Sequence, residues 1–133
     1  AMSGAEIQAD RLAAARELAR RFGATIVLKG SGTVIARPGG DIVVNPTGNP
    51  ALATAGTGDV LAGICGALLA QHWPMWEAAL AAVWLHGSAA DRLVEQGVGP
   101  VGLTAGELIP CVRTTLNQLI NEYAPPRTDT PHP

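Results

Sequence analysis

Residues 45 to 63, NPTGNPALATAGTGDVLAG, hold a single charged side chain. That carboxylate, Asp59, follows Gly56-Thr57-Gly58 and precedes a long apolar run. A glycine-rich turn that ends in a helix N-terminus offers unpaired backbone N–H groups and partial positive charge, the physical basis of a phosphate site. A carboxylate in that first turn has two readings. It can cap the helix, worth about 1 kcal/mol. It can instead take the proton from a hydroxyl attacking a bound phosphoryl group, worth roughly 10² to 10⁴ in rate, while the amides stabilise developing charge. No Gly-Lys-Ser/Thr follows, so the motif is not a P-loop, and the third glycine is misplaced for a dinucleotide fingerprint.

A second candidate is LKGSGT, Leu28 to Thr33: a strand end, a lysine and a flexible turn with free amides. Alone it reads as readily as an ordinary hairpin with a solvated Lys29. His86 and Asp91 stand five residues apart, about 140° around a helix, so they are not a local catalytic pair. His86 reads as a packed or capping histidine, and Trp73, Trp76 and Trp84 as core or interface residues. Cys65 and Cys111 lie in apolar helical contexts without metal-type spacing, which fits a reduced, cytoplasmic setting.

The elements that must position these residues follow from patterning. Ser3 and Glu6 form a capping box, opening a helix to about Phe22 with Gly23 as its stop. ATIVLKG predicts a strand buried on both faces, and TVIA and IVVN continue it as a meander through the turns GSG and RPGGD. The Pro-, Gly- and Asn-rich loop from Asn45 to Gly56 leads into DVLAGICGALLAQ. Its apolar residues, Val60, Leu61, Ile64, Cys65, Leu68 and Leu69, predict a helix buried nearly all round. Gly63 and Gly66 each cost about 1 kcal/mol there, which close approach by a ligand or by another helix would justify. A further helix starts near Pro74 and ends at Gly97. Thr104 and Glu107 form another capping box, and Pro110 is expected to separate a short turn from a last helix, Cys111 to about Tyr123. Residues 1–124 thus read as one partial α/β domain and 125–133 as a Pro-rich tail.

The 133 residues are 47% hydrophobic and 15% charged, a core-forming composition for one domain. A formal charge of −2 gives no footprint for nucleic acid or an anionic membrane. The apolar run from Val60 to Ala70 is too short and Gly-broken to span a bilayer. No basic region precedes an apolar core at the N-terminus, so no secretory signal is expected, and Ala1-Met2 reads as an expression remnant. The meander supplies less sheet than the apolar helices require. The chain is therefore expected to form a homo-oligomer or to be part of a longer chain.

Taken together, VLKGSGTVIA, TGNPALATAGTGDVLAGICGALLAQ, AVWLHGSAADRL and GLTAGELIP resemble the C-terminal half of the ADP/ATP-dependent NAD(P)H-hydrate dehydratase family of the ribokinase-like superfamily. The resemblance runs over about residues 7 to 120. It implies a three-layer α/β/α ribokinase-like fold, truncated to the C-terminal half of the usual domain. It implies repair of hydrated NADH and NADPH: a nucleoside phosphate, ADP or ATP with Mg2+, phosphorylates the ring hydroxyl, and phosphate elimination restores the double bond. By position, Asp59 resembles the family's catalytic base and hydrate contact. Gly56, Thr57 and Gly58 resemble its phosphate-cradling anion hole, and Lys29, Gly30, Ser31, Gly32 and Thr33 match the segment lining the adenosine. The rival readings are a ribokinase-like kinase of a vitamin precursor or sugar, and a non-catalytic nucleotide-binding fragment.

Overall fold

A computed structural model of the chain describes residues 3–30 and 32–123. The expectations for Ser31 and for the tail at 125–133 lie outside the described residues. The order of elements is α1 (Gly4–Phe22), β1 (Ile26–Leu28), β2 (Val34–Ala36), β3 (Ile42–Val44), a 3₁₀ turn (Pro50–Ala53), α2 (Thr57–Ala70), α3 (Met75–Glu95) and α4 (Ala105–Tyr123). The Ser3–Glu6 capping box forms reciprocally: the Ser3 N–H donates to Glu6 Oε2 at 2.7 Å and the Glu6 N–H to Ser3 Oγ at 3.2 Å.

The three strands pair antiparallel in the order β1-β2-β3, with Leu28 opposite Val34 and Val34 opposite Val44. Side chains alternate across a sheet, and β2 uses both faces. Val34 and Ala36 pack with Ala15 and Ala19 of α1, while Ile35 packs with Leu61 and Leu68 of α2 and Ala78, Ala79, Ala82 and Val83 of α3. Burying each large aliphatic side chain contributes roughly 1.5–3 kcal/mol. The layers are thus α1, the sheet, and α2 with α3. Helix α4 closes the far side of α3 through Leu108, Cys111 and Val112 against Leu85, Ala89 and Leu93.

Three sequence expectations change. The strand buried on both faces is β2, not β1, whose Val27 is exposed. Only a central strand has neighbours on either side, and β1 is an edge. Helix α2 is not buried all round: Thr57, Leu61 and Leu68 are buried, whereas Ala62, Gly63, Gly66 and Ala67 are exposed. Apart from their own stretch of helix, nothing described lies within 4 Å of a β-carbon built at Gly63 or Gly66, so no helix crossing accounts for either glycine. Pro110 does not divide the last helix, because α4 runs through it from Ala105 to Tyr123. The interior proline costs about 3 kcal/mol, and the burial of Leu108, Cys111 and Val112 around it holds the helix against α3. Among the described residues no helix is long and apolar enough to cross a membrane.

Candidate functional site

The β1–β2 turn carries Lys29, and α1 fixes that turn. Arg11 donates from Nη2 to the Leu28 carbonyl at 3.2 Å and from Nη1 to the Gly32 carbonyl at 3.1 Å. With both ends of the turn held, the Lys29 ammonium reaches the first turn of α2. A β-carbon built at Gly58 would lie 2.5 Å from Lys29 Nζ, so the residue there must lack one for the two to meet in this way.

Helix α2 starts without a side-chain cap. Its N-cap is Gly56 at φ +88°, in the left-handed region that glycine enters at little cost. Thr57 is buried and its hydroxyl serves the carbonyls of Leu52 and Thr54, at 2.6 and 2.9 Å, so it ties the turn together. Its N–H also turns back, to the Thr54 carbonyl at 3.4 Å. The next intrahelical bond begins at Val60, which donates to Gly56. The N–H groups of Gly58 and Asp59 therefore have no backbone acceptor among the described residues. Asp59 is exposed and makes no described hydrogen bond, so it is not the cap of this helix.

The opposite wall is the NPTGN loop, clamped on α3. Asp91 accepts from the Gly48 N–H at 3.0 Å and from Asn49 Nδ2 at 2.8 Å. Thr47 Oγ1 donates to the Trp84 carbonyl at 3.3 Å, and buried Asn45 donates from Nδ2 to the Thr47 carbonyl at 3.1 Å. Gly87 makes this contact possible: a β-carbon there would stand 2.8 Å from the Thr47 carbonyl carbon. Trp84, Gly87 and Asp91 form one stripe of α3, at the spacing that places residues on a common helix face.

Between these walls lies a cavity of about 900 Å³. Of the residues singled out in the sequence, Lys29, Gly30, Gly32, Thr33, Thr57 and Gly58 line it together. Gly56 and Asp59 are not on its wall; Asp59 follows Gly58 immediately, on the exposed side of the same turn. His86 also lines the cavity, is 6% exposed, and has no hydrogen-bond partner at Nε2. Burial lowers its pKa from the ordinary 6.5; contact with the Thr57 backbone opposes this, and the Lys29 charge lowers it further. Nε2 itself makes no hydrogen bond among the described residues.

Sequence reasoning named Asp91 without its role as a clamp, and missed Arg11 and the unpartnered Nε2 of His86. The Trp84–Gly87–Asp91 stripe was the available signal for Asp91: a small residue between two larger ones on a single face. A lone arginine on an amphipathic helix gives no comparable signal. No group of three or more His, Cys, Asp or Glu side chains capable of holding a metal ion occurs among the described residues.

Comparisons with known proteins bear on the family and the fold. A family model described as NAD(P)H-hydrate dehydratase matches residues 1–111. The ADP-dependent (S)-NAD(P)H-hydrate dehydratase of Neisseria meningitidis is 53% identical over 115 residues, 86% of this chain and 39% of that protein. A bifunctional NAD(P)H-hydrate repair enzyme of Vibrio cholerae is 49% identical over 84% of this chain and 22% of its own length. Among solved structures, the ADP/ATP-dependent NAD(P)H-hydrate dehydratase of Bacillus subtilis, co-crystallised with ATP/Mg2+, superposes with a TM-score of 0.79 at 41% identity. That match covers 85% of this chain and 40% of the Bacillus chain. A ribokinase-like superfamily protein of Enterococcus faecalis gives a TM-score of 0.70 at 34% identity, over 80% of this chain and 36% of that one. The chain therefore spans well under half the length of these relatives. With the family model covering most of its residues, the chain belongs to the NAD(P)H-hydrate dehydratase family and has a ribokinase-like fold.

Proposed function

We propose that this chain binds ADP or ATP at the N-terminus of α2 and serves the dehydration of NAD(P)H hydrate, as a homo-oligomer or as part of a longer chain in the cytoplasm. The observation that carries the reading is the Lys29 ammonium lying at Gly58, where the helix already presents partial positive charge. A lone cation at that end of a helix opposes stability and favours a bound anion. The unpaired N–H groups of Gly58 and Asp59 point the same way, and Gly56 supplies the turn that leaves them open. Gly30, Gly32 and Thr33 would line the nucleoside side of the cavity.

Asp59 is the carboxylate for the proton. The ring hydroxyl of the hydrate attacks the terminal phosphorus, its O–P bond forms as the bond to the nucleotide's leaving oxygen breaks, and Asp59 accepts the hydroxyl proton. The amides and Lys29 bear the charge that develops on the phosphoryl oxygens. The C–O bond then breaks with phosphate leaving, a neighbouring ring proton is lost, and the double bond is restored. Magnesium usually arrives with substrate phosphates and needs only one or two protein carboxylates. The ion would supply charge neutralisation on the phosphates.

The test is Asp59→Asn with NAD(P)H hydrate, nucleotide and magnesium. Nucleotide binding should persist and recovery of reduced-nicotinamide absorbance should fall by roughly 10² or more. Undiminished turnover removes Asp59 from the reaction. Accumulation of a stable phosphoester would identify a small-molecule kinase instead, and nucleotide binding by the wild-type chain without turnover would identify a binding fragment.

A further inference from the structure

The β1–β2 turn contains Gly30 and Gly32, the latter at φ +68°, so its own backbone does little to fix where Lys29 points. Arg11 of α1 braces the turn from outside. One guanidinium spans it, donating to the Leu28 carbonyl at 3.2 Å and to the Gly32 carbonyl at 3.1 Å. The same Nη1 also donates to Gln8 Oε1 at 3.1 Å, which steadies the fork. Gly30 leaves room for it, since a β-carbon there would stand 2.9 Å from Arg11 Nη2. Helix α1 does not need this contact in order to dock: Ala15 and Ala19, both fully buried, already pack with Val34 and Ala36. Nor is Arg11 on the cavity wall, where Lys29, Gly30, Gly32 and Thr33 stand.

We infer that Arg11 is a positioning residue for the nucleotide site, which acts on a bound phosphate through Lys29 by holding the β1–β2 turn so that the ammonium stays at Gly58. The inference rests on the nucleotide reading above and extends the site outward to α1. Lys29 needs such a brace because its ammonium sits at the positive end of α2, which repels it unless an anion intervenes. On a pliant turn the flexible stem would swing the charge into solvent, and each binding event would have to order it again. Fixing the turn beforehand removes that cost from binding. Arginine suits the task better than lysine, because its rigid fork reaches two carbonyls at once whereas an ammonium is a single point.

The experiment is a double-mutant cycle on the full chain: wild type, Arg11→Met, Lys29→Met and the two combined, with Arg11→Lys beside them. Calorimetric ADP affinity and the melting temperature are measured for each. Arg11→Met should lower ADP affinity by up to about tenfold, and no further than Lys29→Met does. In the Lys29→Met background the same change should cost little more, because the ammonium it positions is already gone. Arg11→Lys keeps the charge but not the fork, so most of the loss should remain. Additive, independent losses from the two substitutions overturn the inference, as does full affinity in Arg11→Met. Full affinity in Arg11→Lys overturns it too, since charge alone would then suffice. If Arg11→Met does not fold, the cycle is run with Arg11→Lys; if neither folds, Arg11 is structural and the inference falls. All of these outcomes leave the nucleotide reading in place, whereas absence of ADP binding to the wild-type chain overturns that reading and this inference with it.

Discussion

The Lys29 ammonium stands 2.5 Å from the place a β-carbon on Gly58 would occupy, so a full positive charge meets the positive end of α2. Such an arrangement costs about 0.3–1 kcal/mol and is useful only when an anion shares the site. Lys29→Met should therefore leave the melting temperature unchanged or slightly raised, while ADP affinity falls about tenfold. Thermal shift and calorimetry on the same samples check this. A loss of stability without loss of binding would make Lys29 a structural residue.

Asp91 holds the opposite wall through the Gly48 N–H and Asn49 Nδ2. Removing a charged acceptor of two such bonds should destabilise the fold by about 2 kcal/mol. Chemical denaturation of Asp91→Ala measures the loss. Hydrogen exchange should locate its largest increase at Gly48 and Asn49, and an increase spread evenly over α3 would refute the clamp.

Much of the frame was legible because it rests on local chemistry. Ser3 and Glu6 sit at capping-box spacing, and GSG and RPGGD punctuate three β-branched runs. What was not legible depends on partners distant in the chain. Whether ATIVLKG or TVIA is the central strand is decided by pairing order, and both are apolar enough to be buried. The apolar residues of α2 surround the helix, yet only the Leu61–Leu68 side meets Ile35 and α3. At the site, Gly58 and Lys29 were visible separately in two glycine-rich turns. Their contact depends on Arg11 holding the carbonyls of Leu28 and Gly32. His86 read correctly as a packed residue, but a missing hydrogen-bond partner cannot be seen in a sequence.

A pH dependence follows from the same histidine. Burial holds the His86 pKa below 6.5, so between that lowered value and 6.5 the unfolded chain binds more protons than the folded one. Stability therefore rises with pH through this window, and the destabilising difference vanishes above it. Lys29 faces the ring from the β1–β2 turn, whereas Asp91, on the same helix as His86, is engaged with Gly48 and Asn49. Melting temperatures of wild type and His86→Phe between about pH 5 and 8 should diverge at the acid end in favour of the variant. A gap that stays constant with pH would mean that the ring titrates as it does in the unfolded chain.

The most direct test of the account is Gly58→Ala titrated with ADP. Alanine suits the first turn of a helix better than glycine, by up to about 1 kcal/mol. The atom its β-carbon would meet is the far end of the flexible Lys29 side chain, which can move aside. The fold should keep its melting temperature or gain slightly, while the added methyl displaces the ammonium and crowds the open amides. ADP affinity is predicted to fall tenfold or more, on the order of 1.4 kcal/mol. A Gly58→Ala protein that binds ADP as tightly as wild type would contradict an anion site at the N-terminus of α2.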